Sequence, residues 1–110
     1  MPKDELLGFL EFQILAAALN LGPNEAYGMS IRSKIHETTA RRILIGTIYS
    51  TLERLKVKGY IRTWMGEPTP ERGGRAKEFI EVTGSGASAY NYTCQVQISM
   101  MNLDTRGSYA

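Results

Sequence analysis

Hydrophobic residues recur at helical spacing in four stretches of the chain and at two-residue spacing in two short ones. Leu7, Leu10, Ile14, Ala18 and Leu21 make one apolar stripe, which predicts an amphipathic helix over residues 4–20. Phe9 and Phe12 lie off that stripe and predict a second apolar contact on the same helix. Gly22, Pro23 and Asn24 end it. A second helix is expected over 25–38, burying Tyr27, Ile31 and Ile35. Ile43, Leu44 and Ile45, within 41–45, read as a brief strand. Ile48, Leu52 and Leu55 then predict a third helix over 46–58, with Thr47 helping to cap its first turn and Gly59 closing it. On this helix Thr47, Ser50, Thr51, Arg54 and Lys58 face solvent or a partner, with Tyr49 at the margin.

Residues 60–65 and 77–82 alternate as two strands, and the loop between them carries Pro68, Pro70, Gly73 and Gly74. The expected product is a two-stranded hairpin whose tip bears Arg72, Arg75 and Lys77. Thr83 is placed to cap a last helix over 84–104. That helix carries two apolar stripes, Ala87/Tyr90/Cys94/Ile98/Met101 and Ala89/Tyr92/Val96/Met100/Leu103, with an uncharged polar seam between them. A helix apolar on two sides needs covering twice, once by its own subunit and once by a second copy of the chain. Residues 105–110 are expected to fray. The fold class is therefore α+β, mostly α.

Charge changes this picture most. Residues 32–77 hold eleven Lys and Arg against four acids, a net of +7; the rest holds two against seven, a net of −5, and together these give the chain's +2. That segregation predicts an anionic partner for the middle of the chain. The 110 residues suit one domain, and their 43% apolar content excludes a disordered or membrane class. Leu6 to Leu19 is too short and too interrupted by Glu11 and Gln13 to span a bilayer or serve as an export signal, so a soluble, cytoplasmic chain without membrane partners is expected. The single cysteine, Cys94, forms no internal disulfide and reads as a small buried hydrophobe. His36, the only histidine, lacks partners at metal-ligand spacing and reads as solvated or facing a phosphate. No paired carboxylates, nucleophile with its base, phosphate-cradling GxxxxGK loop or metal spacing is visible, so neither catalysis nor a cofactor is expected.

Tyr27-Gly28 at the second helix, Gly46-Thr47-Ile48-Tyr49 opening the third, Leu52-Glu53-Arg54-Leu55 inside it and Lys58-Gly59-Tyr60-Ile61 closing it form an ordered set with Glu67 to Lys77 and Thr83-x-x-Gly86. Together they resemble the PadR family of bacterial and archaeal winged helix-turn-helix transcriptional regulators. The resemblance implies a three-helix winged-helix DNA-binding domain over 1–83 with a two-stranded β-wing, and a C-terminal dimerisation helix over 84–104. It implies a homodimer, with the last helix meeting helix one of the partner. It also implies that helix 46–58 enters the major groove of double-stranded DNA while the wing at 66–77 follows the backbone or minor groove. Members usually act as repressors, and some answer to aromatic or cationic ligands, which makes a small aromatic effector a candidate partner. Drug-sensing members place a tryptophan on the last helix; here the only tryptophan, Trp64, lies in a wing strand.

The residues expected to meet DNA are Arg32, Lys34, Thr47, Tyr49, Ser50, Thr51, Arg54, Lys58, Arg72, Arg75 and Lys77. Those expected at the dimer interface are Phe9, Phe12, Tyr90, Cys94, Ile98 and Met101. The competing reading is a winged-helix adaptor that binds other proteins without sequence-specific DNA binding, because fold alone does not set function. Such an adaptor has no need of the basic middle segment.

Overall fold

The computed structural model describes residues 5–67 and 76–104. Its elements run α1 (Phe9–Leu21), α2 (Gly28–Thr39), α3 (Ile45–Val57), β1 (Ile61–Met65), β2 (Glu78–Val82) and α4 (Gly84–Met101). The three first helices pack around Ile14, Leu15, Ile31, Ile48 and Leu55, all fully buried, and the hairpin adds Ile61 and Ile80 to the same core.

α1 starts later than the periodicity predicts. Residues 5–8 are extended, and the Gly8 N–H donates to the Glu11 carboxylate at 2.9 Å, fixing the first turn. Leu7 still reaches the core from the extended segment. α2 also starts late. Instead of opening a helix, residues 26–27 lie along β2: the Ile80 N–H donates to the Ala26 carbonyl at 2.8 Å and Tyr27 forms a bridge with Phe79. The helix begins one residue on, where Ser30 Oγ accepts the Tyr27 N–H.

The strand expected over 41–45 is absent. α2 ends at Ala40 in the left-handed region (φ 62°), a conformation that costs a non-glycine residue about 1 kcal/mol or more. The chain then runs extended with no strand beside it. Ile43 is buried, and its carbonyl accepts from Arg32 Nε instead of a ladder N–H. β-branched residues here serve the core, not a sheet.

α3 ends as expected. Gly59, at φ 79°, follows the last turn; its N–H donates to the Lys56 carbonyl and that of Tyr60 to Leu55, both at 3.0 Å. β1 and β2 pair antiparallel, with Thr63 opposite Ile80 toward the core and Trp64 opposite Phe79 on the outer side.

Thr83 caps α4 as predicted, accepting the Gly86 N–H at 3.1 Å while donating to the Gly59 carbonyl at 2.7 Å. The face of α4 that meets the core lies between the two predicted stripes, sharing Ala89 with one and flanked by Tyr90 of the other. It runs through Gly86, Ala89 and Thr93. Thr93 is buried because its hydroxyl accepts the Leu7 N–H at 3.0 Å and donates to the Ala89 carbonyl at 2.9 Å. Beyond Val96 the helix runs clear of the core, exposing Ile98, Met100 and Met101, with Leu103 exposed just past its end.

Candidate nucleic-acid interface

The N-terminus of α3 is open. Its N-cap is Leu44, 75% exposed, which offers no side-chain oxygen to the first turn. The Leu44 carbonyl takes the N–H groups of Thr47 and Ile48, leaving those of Ile45 and Gly46 without intrahelical partners. Such an end carries partial positive charge and unused donors, suited to a phosphate oxygen. Thr47, Tyr49 and Ser50 stand exposed around it. The Ser50 hydroxyl donates to the Thr47 carbonyl at 3.1 Å and keeps its lone pairs outward.

Tyr49 is held by a glycine. A Cβ on Gly28 would lie 2.6 Å from Tyr49 Cε1, so the far end of the ring passes against the start of α2 in space that only glycine leaves. The N-termini of α2 and α3 thereby lie side by side, in contact through this ring.

Three expected DNA contacts lie elsewhere. Thr51 is fully buried on the same face as Ile48, Leu52 and Leu55, with its hydroxyl donating to the Thr47 carbonyl at 2.8 Å, so it cannot read a base. Arg54 remains exposed and makes one long contact, Nη2 to Thr51 Oγ1 at 3.3 Å. Lys58 is committed inward: Nζ lies 2.7 Å from Glu5 Oε1 and 2.9 Å from Glu11 Oε2. Lys34 sits about 200° around α2 from Arg32 at roughly 100° per residue. It pairs loosely with Glu37 at 3.7 Å and lines a cleft of about 360 Å³ between α1 and α2, with Gln13, Ala17 and Ile35. Arg32 is half-buried and tied to the Ile43 carbonyl.

At the wing, Tyr27, Phe79 and Trp64 form a ladder across the outer face: Trp64 stacks on Phe79 with centroids 4.7 Å apart, and Tyr27 meets Phe79 edge-on at 5.7 Å. Lys77 Nζ lies 4.7 Å from the Tyr27 centroid, so the exposed Lys77 is oriented by a cation–π contact beside the α2 N-terminus. Arg72 and Arg75 lie outside the described residues.

The Lys58 cluster has no local signal in the sequence, because its carboxylates lie 53 and 47 residues away. Its hydrogen bond from Lys58, then that from the Tyr60 hydroxyl, holds the Glu5 carboxyl below the usual glutamate range. Burial pushes Glu11 up, but hydrogen bonds from Lys58 and from the Gly8 N–H outweigh it and leave its carboxyl low. Both carboxylates raise Lys58 in turn. The cluster ties the segment before α1 to the last turn of α3 and the start of the wing.

The residues expected at the dimer interface split into two groups. Phe12 and Tyr90 stack on each other within the chain, centroids 4.9 Å apart and 14° from parallel, with Cys94 half-buried beside them. Phe9, Ile98 and Met101 face outward, Phe9 under the Arg41 guanidinium at 5.3 Å. Among the described residues, no group of three His, Cys, Asp or Glu side chains could hold a metal, and no helix is long and apolar enough to cross a membrane.

Residues 15–91 match the model of the transcriptional regulator PadR-like family, from within α1 to the middle of α4. The chain belongs to the PadR-like family of transcriptional regulators. The family is one of transcriptional regulators. A transcriptional regulator from Clostridium thermocellum is similar in structure, at 26% identity with a TM-score of 0.68, covering 86% of this chain and 84% of the other. A PadR-like transcription factor from Bacteroides fragilis is also 26% identical, with a TM-score of 0.62 and coverage of 86% and 82%. A PadR family regulator from Clostridium difficile shares the fold at 20% identity, TM-score 0.68, covering 86% and 92%. No curated protein matches the chain. The shared fold is a winged helix, and in this chain strand β1 of the two-stranded wing packs against α3.

Proposed function

We propose that the protein is a transcriptional repressor that binds a pseudo-palindromic operator as a homodimer. α3 lies in the major groove and presents Thr47, Tyr49, Ser50 and Arg54; Arg32 reaches a neighbouring phosphate. The wing follows the adjacent backbone or minor groove through Lys77, Arg72 and Arg75. The observation that carries this reading is the open, uncapped α3 N-terminus, ringed by exposed hydroxyls and touching the start of α2 through Tyr49 and Gly28. Ser50 and Arg54 are few discriminating side chains for one helix, so selectivity comes from two half-sites about 34–36 Å apart, or a multiple of that.

The second copy is argued from α4. Its distal half exposes Ile98, Met100 and Met101, and Phe9 lies exposed on α1. An apolar strip of this kind suits α1 and α4 of the second copy. An aromatic effector would meet Tyr92, which is exposed beside Ser88, Asn91 and Gln95, because Tyr90 is already stacked on Phe12.

Fluorescence anisotropy with labelled DNA from upstream of the protein's own coding region tests the reading. The wild type is expected to bind it selectively over scrambled duplex, and Tyr49→Ala with Ser50→Ala to weaken binding at least about tenfold, or 1.4 kcal/mol. Ile98→Glu with Met101→Glu is expected to give monomers by sedimentation and to lose the same DNA. Equal binding to scrambled duplex, or unchanged affinity in both double variants, would sink it.

A further inference from the structure

On the side of α2 away from α1 lies a pocket of about 150 Å³, lined by Arg32, Ser33, His36 and Arg42. It is wide enough to admit a small ion from solvent. Its chemistry is one-sided: two guanidinium groups, an imidazole and a hydroxyl, with no acid among the lining residues. The nearest acid in sequence, Glu37, points to Lys34 instead.

Two features show that the pocket is shaped rather than a chance gathering of surface charge. Arg32 is half-buried and its Nε donates to the Ile43 carbonyl, which fixes the plane of the guanidinium. Its two terminal nitrogens have no partner among the described residues and remain as a fork of donors. Arg42 stands on the extended segment that replaced the expected strand, opposite Arg32, placed there because Ile43 next to it is anchored in the core. A regular ladder over 41–45 would have consumed the Ile43 carbonyl and released Arg32.

We infer that this pocket is a binding site for a phosphate oxyanion. A planar fork fixed from behind, a second guanidinium opposite and a serine hydroxyl match the acceptor-rich tetrahedral ion. Arg42 precedes the α3 N-cap by two residues, so a DNA phosphodiester seated here would lie just outside the groove that α3 enters. In that case the inference rests on the DNA reading above. The same chemistry also suits inorganic phosphate or a phosphorylated small molecule.

The test compares Arg42→Gln with Arg41→Gln, two variants that remove the same charge one residue apart, only the first from the pocket. Inorganic phosphate is titrated into each protein while the amide and side-chain NMR signals of Ser33, His36 and residue 42 are followed. Saturable shifts in the wild type and Arg41→Gln that vanish in Arg42→Gln are expected. No saturable shift, or the same shift in both variants, overturns the site. The salt dependence of duplex affinity then identifies the source. A DNA phosphodiester gives Arg42→Gln a slope of log affinity against log salt shallower by about one unit; a free anion leaves that slope equal to the slope of Arg41→Gln while phosphate binding persists. If the wild type binds phosphate but no duplex, the DNA reading fails and the site stands.

Discussion

The two ends of α3 are built on opposite terms. At its C-terminus the backbone is closed by Gly59, and Lys58 is clasped by Glu5 and Glu11; Thr83 then binds the Gly59 carbonyl. At its N-terminus there is no side-chain cap, an exposed leucine stands at the N-cap, and free N–H groups are ringed by hydroxyls. A helix pinned at one end and open at the other keeps its direction while leaving its donors for a ligand. On the proposed reading, the closed end sets the angle of approach to DNA and the open end makes the contact. Changes at the first should cost stability; changes at the second should cost binding.

The largest loss of stability is expected from Gly86→Ala. Its Cβ would fall 2.1 Å from the Tyr60 carbonyl oxygen, backbone that cannot step aside, just after the closed end of α3. Overpacking of this kind costs about 1–3 kcal/mol or more, to be read as a lower midpoint in urea unfolding. Lys58→Met comes next. It leaves Glu11, whose side chain is 10% exposed, without its cation. The expected cost is about 1–2 kcal/mol, below that of a fully buried pair because Lys58 is a third exposed.

The same cluster fixes the pH dependence. Glu5 and Glu11 have lowered values in the folded chain, so their contribution is complete above the ordinary glutamate value and disappears as pH falls through the lowered one. Lys58 is raised, so its contribution is complete below the ordinary lysine value and is lost as pH rises through the raised one. Urea midpoints of the wild type should therefore fall in acid and in strong alkali, and Lys58→Met should flatten both limbs. Equal slopes in the two proteins would exclude the cluster as their source.

Gly28→Ala should have the smallest effect on stability, under about 1 kcal/mol, because the atoms its Cβ meets are the far end of a half-exposed ring. Moving Tyr49 should still weaken DNA binding several-fold while the melting temperature falls by only a few degrees. If this variant unfolded as readily as Gly86→Ala, the division of labour between the two ends would be wrong.

Much of this arrangement was legible in the residues. Thr83, Gly59 and the apolar repeats placed four helices and a hairpin in the right order, since caps and periodicity are local signals. Thr51 could also have been placed correctly: it falls three residues after Ile48 and four before Leu55, inside the buried face, and its hydroxyl is satisfied by its own helix. Glu11 and Thr93 carried no such signal. Their partners lie 47 and 86 residues away, and only the packed chain brings them together. The apparent strand at 41–45 misled because β-branched residues fill a core as readily as they fill a sheet.

The most direct test of the central claim is the salt dependence of affinity for the upstream DNA, measured by anisotropy across a tenfold range of monovalent salt. A dimer whose open α3 ends and wings neutralise about three phosphates per half-site gives a slope of log affinity against log salt near −5. A slope near zero would mean that no phosphates are neutralised, and would contradict the claim that the open end of α3 is there to meet DNA.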